Sequence, residues 1–335
     1  MIHTALLSRW HVHADEYAEQ AQSNPDLSIK MVWDENSERG RDWAVSLGVP
    51  FEADLHSVLT NKDIDAVIVA APTNMHKEIM VEAARNKKHI FTEKVLAATV
   101  REAREILEAV EENNVQLTIS LPRLTAGYYL YAQQVMDQGL LGQLTTIRCR
   151  VAHNGAVKTE ENPSGWLPQH FFSKEQCGGG AFIDLGAHPI YLTNRLAGNV
   201  KAVSARFQTF GNEVDVNAAV LVEYESGALG ILETGFVSSG SPFQLEQYGT
   251  EGTLMIEDTQ IKIKTRHSKE WQVPADIPES ISMPIDQWAR AIAAGEQPVI
   301  SAEDALNLTL VNELAALSNQ EGRPIEAAEL MNTSK

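Results

Sequence analysis

Two stretches of this chain carry residue types at spacings that suit proton chemistry. The first runs Cys177-Gly178-Gly179-Gly180-Ala181-Phe182-Ile183-Asp184-Leu185-Gly186-Ala187-His188. In a helix, the four-residue spacing would set Asp184 and His188 on one face. A carboxylate beside an imidazole selects its tautomer and stabilises its charged form. The same residues also suit a structural role, with Asp184 capping a helix after a glycine loop and His188 packed in the core. Pro189 is tolerated in a helix's first turn, which predicts Asp184 near the start of one. The second stretch is Glu93-Lys94-Val95, directly after the apolar run His89–Thr92. A lysine at a strand end can donate hydrogen bonds to a hydroxyl or carbonyl, with Glu93 to hold it. A surface ion pair is the alternative for Glu93 and Lys94.

What must position these residues follows from the rest of the chain. At 335 residues, 44% of them hydrophobic and 21% charged, the composition is that of a globular protein with two domains. A formal charge of −18 repels nucleic acid and anionic membranes, so neither is expected as a partner. Cys149 and Cys177 form neither a disulfide framework nor a metal-ligand pattern. The N-terminus shows no signal-peptide pattern and no run is long enough to span a bilayer, so a cytoplasmic location is expected.

Apolar blocks alternate with helical patterns through the first third. Strands are predicted over 2–7, 27–33, 64–70, 89–92 and 115–119, and helices over 14–22, 37–47, 75–86 and 100–113. This alternation predicts a doubly wound parallel sheet, and hence a dinucleotide-binding domain over residues 1–121. Such a sheet binds ligands beyond the carboxyl ends of its strands. Asp34 ends the second strand, where an acid accepts from an adenosine ribose, and Glu35 beside it would repel a 2′-phosphate. NAD is therefore expected in preference to NADP, although a solvated turn is the alternative. After the first strand, a Gly-x-Gly-x-x-Gly turn is replaced by Ser8-Arg9-Trp10-His11-Val12-His13. Ser8, Arg9 and Trp10 are the residues expected to meet the cofactor there, through a helix N-terminus and side-chain donors.

Several motifs together resemble the Gfo/Idh/MocA family of nicotinamide-dependent oxidoreductases, the glucose–fructose oxidoreductase and inositol dehydrogenase group. They are Pro72-Thr73-Asn74-x-x-Lys77 with His76, Glu93-Lys94, Arg123 after a strand, Gly139-Leu140-Leu141-Gly142, and Gly178-Gly179-Gly180…Asp184…Gly186…His188-Pro189. The resemblance implies that Lys94, Asp184 and His188 are catalytic and line a substrate pocket beside the nicotinamide. It assigns Pro72, Thr73, Asn74, His76 and Glu93 to the cofactor and Arg123 to the substrate. Val95 stands where the family usually has proline, and Tyr191 where an acid is frequent.

A second domain over residues 122–335 is predicted as α+β, with a large, mainly antiparallel sheet. The resemblance implies that its open face makes a homodimer or homotetramer. His153 and Trp166 offer polar edges and ring faces that suit a sugar or polyol. The spacing of His153, His170 and His188 encodes no metal site, and no metal is expected. The leading expectation is oxidation or reduction of a secondary alcohol or ketone of a sugar or cyclitol. Two alternatives stand beside it. One is an NAD-retaining reaction with no net redox, such as glycoside hydrolysis or elimination through a transient keto-sugar. The other is a non-catalytic sensor of sugars or dinucleotides.

Overall fold

The computed structural model describes residues 1–160, 163 and 165–331. The chain forms two compact units, residues 1–122 with 282–306, and residues 123–281 with 307–335. This differs from a single cut at residue 121 or 122, because helix Pro284–Ala294 returns to the first unit. Ile285, Trp288, Ala289 and Ile292 make one apolar stripe on that helix. Trp288 is fully buried and packs 5.7 Å from Phe91. Large aromatics in such positions typically contribute about 3–5 kcal/mol relative to alanine, enough to draw the segment back.

In the first unit, β1 (Ile2–Leu7), α1 (Ala14–Ser23), β2 (Leu27–Trp33), α2 (Ser37–Leu47) and α3 (Leu55–Thr60) come first in the chain. They are followed by β3 (Ala66–Val69), α4 (His76–Arg85), β4 (His89–Thr92), α5 (Val100–Asn113) and β5 (Leu117–Ile119). The sheet is parallel throughout, in the order β2-β1-β3-β4-β5. Its direction of winding reverses between β1 and β3, the place where such sheets receive ligands. Local signals bound the helices. Asn36 caps α2 by accepting from Glu38 and Arg39, Gly48 ends it at φ +69°, and Thr99 caps α5.

The second unit contains α6 (Gly127–Asp137), β6 (Leu144–Ala152), α7 (Lys174–Cys177), α8 (Ala181–Asp184) and α9 (Ala187–Ala197). Six further strands follow, β7 (Val200–Gln208), β8 (Asn217–Tyr224), β9 (Leu229–Gly235), β10 (Gln244–Gly249), β11 (Gly252–Glu257) and β12 (Gln260–Thr265). With the short β13 (Ile325–Glu326) they form an eight-stranded sheet in the order β12-β11-β10-β6-β9-β8-β7-β13. The pairs are antiparallel except β6 with β9, which are parallel. α9 packs on β6 and β9 and covers one face. The other face leaves Leu221, Leu229 and Ile231 exposed by 38–43% on the paired strands β8 and β9.

Candidate active site

Within the first unit, the turn after β1 takes the shape of a glycine loop without its glycines. Ser8, Trp10 and His13 stand at the spacing of the three glycines of a dinucleotide turn. Ser8 adopts φ +74°, a left-handed conformation costly for a non-glycine residue. Its buried hydroxyl accepts from Trp10 N at 3.1 Å and Arg39 Nη2 at 3.3 Å. Trp10 is buried, and Arg9 is held in a two-bond ion pair by Asp15 in the first turn of α1.

Asp34 directly follows β2 and is buried. Its carboxylate accepts from Asn36 N (2.7 Å) and Arg39 Nη2 (2.7 Å) on Oδ1, and from Arg9 N (2.8 Å) and Arg39 Nε (2.9 Å) on Oδ2. Those bonds use the acceptor positions of a carboxylate. Arg39 also pairs with Glu35, so two carboxylates surround its one positive charge. The parallel frame, the left-handed turn and the acid after β2 fit a dinucleotide. The turn that usually cradles a diphosphate carries side chains at all three glycine positions.

Glu93 follows β4 and is 1% exposed. Tyr17 donates its hydroxyl to Oε2, His13 Nδ1 lies 3.2 Å and His11 Nδ1 3.6 Å from the same oxygen, and Lys94 Nζ lies 3.7 Å from Oε1. Burial alone would raise the pKa of Glu93. The charges and hydrogen bonds of His11, His13 and Lys94 outweigh it and hold the carboxyl well below its ordinary range. Lys94 is itself 7% exposed, so a surface ion pair does not describe Glu93 and Lys94. The Lys94–Val95 peptide is cis.

His76 is buried and placed by backbone carbonyls, with Nδ1 2.9 Å from Val95 O and Nε2 3.0 Å from Ala71 O. Burial lowers its pKa and favours the neutral ring. It ties the end of β3 to the segment after Lys94, a positioning role. Pro72 is buried beside it, and Thr73 and Asn74 form the short turn into α4, with Asn74 exposed.

The second unit displays Asp184 and His188 on adjoining helices. α8 ends at Asp184 and α9 starts at Ala187, so the expected single helix is interrupted at Leu185-Gly186. Gly186 is required because a Cβ there would lie 2.3 Å from Phe182 O. The N-cap of α9 is Gly186, so Asp184 is not its cap, and Pro189 falls in the first turn as expected. Both Asp184 and His188 are half-buried. The Nδ1 of His188 bonds the Tyr191 hydroxyl at 2.8 Å, and that hydroxyl also meets the Arg123 backbone. The Arg123 side chain lies over the Phe243 ring at 4.8 Å and donates to Tyr128 Oη at 3.3 Å.

A buried residue that sequence reasoning missed fixes this corner. Asp215 accepts from Gly180 N at 3.0 Å and from Phe182 N at 2.7 Å, holding the start of α8. A Cβ on Gly180 would lie 2.0 Å from Asp215 O, so this glycine permits close approach of two backbones. Burial raises the pKa of Asp215, the two N–H donors pull it down, and the charge of Asp184 raises it further, leaving it above its ordinary value.

Elsewhere in the second unit, His153 stacks on Phe236 at 5.1 Å and meets Trp166 at 4.7 Å. Trp166 donates to Asn154 Oδ1 and is 53% exposed. The structure therefore gathers His153 with Trp166, and His188 with Tyr191 and Arg123. The missed residues His11, His13, Tyr17 and Arg39 had a signal: each stands one or two turns from a residue already singled out. Asp215 had none, because its partners are 35 and 33 positions away.

A model described as "Oxidoreductase family, NAD-binding Rossmann fold" matches residues 11–121, and one described as "GFO/IDH/MocA C-terminal domain" matches residues 129–255. The chain is 26% identical to scyllo-inositol 2-dehydrogenase (NAD(+)) of Bacillus subtilis over 91% of its own length and 90% of that protein. It is 27% identical to 2,7-anhydro-N-acetylneuraminate hydratase of Escherichia coli, over 72% of this chain and 64% of that one. A solved levoglucosan dehydrogenase in complex with NADH and levoglucosan superposes with a TM-score of 0.82 at 21% identity, covering 97% and 98% of the two chains.

Proposed function

Because the chain belongs to the GFO/IDH/MocA family of oxidoreductases, we propose that it oxidises or reduces a secondary alcohol or ketone of a sugar, cyclitol or derivative. The observation that carries this reading is the fixed ring of His188. The hydrogen bond between Nδ1 and the Tyr191 hydroxyl holds the ring in place, and in the tautomer that carries its proton on Nδ1 the other nitrogen, Nε2, is the base that takes the hydroxyl proton. Asp184, on the preceding turn, stabilises the positive charge that the ring then carries. Lys94 donates to the reacting oxygen, and Glu93 holds its ammonium within the first unit.

Bound nicotinamide supplies the hydride acceptor. Asp34 and Glu35 favour an unphosphorylated ribose, and Ser8, Arg9, Trp10, Pro72, Thr73 and Asn74 border the dinucleotide. His153, Trp166 and Arg123 present the stacking face and hydrogen-bond donors for a polyol. The exposed Leu221, Leu229 and Ile231 suit a second copy of this chain. Among the described residues no helix is long and apolar enough to cross a membrane. Cys149 and Cys177 are buried thiols outside any disulfide, which agrees with work in a reducing cytoplasm.

The test is a panel of inositols, anhydrosugars and sugar derivatives with NAD, followed by nicotinamide fluorescence. Turnover that His188→Ala abolishes, with the affinity for NADH unchanged, is the expected result. Normal turnover by that variant removes His188 as the base. The resemblance to a hydratase favours a second reading, a net reaction without redox. Consumption of substrate with no net change in NADH selects it.

A further inference from the structure

Two histidines take up the turn that would otherwise be glycine-rich, and both aim Nδ1 at one buried carboxylate oxygen. His11 follows β1, His13 precedes α1, and Glu93 follows β4, so three separate strand and helix ends converge. One ligand atom from each of the three lies within 4.8 Å of the others. His13 Nδ1 is 3.2 Å and His11 Nδ1 3.6 Å from Glu93 Oε2. Tetrahedral ligands about 2.0–2.1 Å from a zinc ion lie roughly 3.3–3.4 Å apart. His13 Nδ1 and Glu93 Oε2 already stand near that separation, and the set as a whole, within 4.8 Å, has to contract onto a bound ion.

His11 Nδ1 accepts from His13 N at 3.2 Å and lies 3.6 Å from Glu93 Oε2. Its one ring lone pair serves that N–H here, and a bound cation would take it over. A second observation is independent of the histidines. Glu93 is 1% exposed, its Oε1 accepts no hydrogen bond, and the nearest charge there is Lys94 Nζ at 3.7 Å. Buried carboxylates are ordinarily saturated with donors or coordinate a metal.

We propose that His11, His13 and Glu93 bind a divalent transition-metal ion of the zinc class. Two imidazoles and one carboxylate make a borderline-soft donor set, suited to zinc rather than to calcium or magnesium. Tyr17, whose hydroxyl donates to Glu93 Oε2, orients the carboxylate from outside the ligand set. Three protein ligands leave a coordination position open beside Lys94. The cluster shares Glu93 with the anchoring of Lys94 in the proposed reaction, but zinc binding is read without turnover, so either reading can fail without the other.

The experiment uses the untagged, full-length chain. After dialysis against chelator, zinc is titrated in competition with a chromophoric chelator, and cobalt is added separately to read its visible absorption. We expect about one zinc per chain and a tetrahedral cobalt spectrum. His11→Ala with His13→Ala abolishes both signals. Tyr17→Phe weakens zinc by roughly 10–100-fold, the usual effect of losing an outer-shell partner. Circular dichroism confirms that each variant is folded. Should the wild-type chain fail to compete for zinc, or the double variant retain its zinc, the proposal is overturned. His13→Ala alone is a second, half-exposed substitution that keeps the test valid if the double variant unfolds. It too must weaken zinc by at least about tenfold.

Discussion

At the end of β4, Glu93 is closed in by Tyr17, His11, His13 and Lys94, and all but His13 are buried. At the α8–α9 corner of the second unit, Asp184 and His188 are half-buried, and the His188 ring is held through Nδ1 by the hydroxyl of Tyr191. The first centre is a set of charges removed from water, where each member depends on the others to offset its desolvation. The second leaves its titratable groups near solvent and places the burial one layer further in, at Tyr191 and Asp215. A group that must exchange protons with a substrate each turnover needs the second arrangement. A group that holds a fixed charge in place tolerates the first. Substitutions at the first centre should therefore read out mainly in stability, and those at the corner mainly in rate.

The largest expected effect is on rate. His188→Ala should lower kcat by about 10²–10⁴-fold, the usual contribution of a positioned general base, with little change in thermal stability. A loss of stability comparable to that of a core substitution would break the contrast. Glu93→Ala should do the opposite and destabilise the chain by about 3–5 kcal/mol in urea unfolding, because it strands Lys94 without its countercharge. If that variant unfolds at the wild-type midpoint, the cluster is not the interdependent set described above.

Asp215→Asn should cost about 1–3 kcal/mol, because an amide nitrogen then faces a backbone N–H of Gly180 or Phe182. Its pH dependence has a defined sign. The pKa of Asp215 is raised in the folded state, so its favourable contribution is present below the unfolded pKa and fades as pH rises through the folded one. The gap in melting temperature between wild type and Asp215→Asn should narrow from acid toward neutral pH. A gap that widens contradicts the raised pKa.

Tyr191→Phe removes the hydrogen bond at Nδ1 and should slow kcat by roughly tenfold or less, with KM unchanged, in steady-state assays. The smallest effect concerns cofactor choice. Asp34→Ala leaves Arg39 with Glu35 alone, so the ratio of NADH to NADPH affinity should fall by several-fold, about the worth of one charge-assisted hydrogen bond. An unchanged ratio in fluorescence titrations means that Asp34 does not read the ribose.

Much of the frame was legible along the chain because its signals are local. Apolar blocks marked the parallel strands, Gly48 ended α2, and Asp34 fell at a strand end, all from neighbours within a few positions. The glycine and histidine motif marked the corner, while the interruption at Leu185-Gly186 did not show. At Gly186 a side chain would meet Phe182 O, a close approach that no periodicity encodes. The return of helix Pro284–Ala294 to the first unit was equally hidden. Amphipathicity shows that a helix has an apolar face but not which core receives it.

Residue types and spacing by themselves marked the alternation of strands and helices, an acid after the second strand, and Lys94, Asp184 and His188 as groups chemically able to move or hold protons, while the catalytic reading of those three came from the family resemblance. Tertiary structure alone decided their surroundings. It carried Glu93 across 80 positions to His13, gave His188 a tyrosine at Nδ1, filled the acceptors of Asp34 with Arg39, and set Asp215 against the glycines. The physical reason is that desolvation and hydrogen-bond saturation depend on every atom within a few ångströms, whichever part of the chain supplies it, whereas helix and strand periodicity depend on near neighbours in sequence.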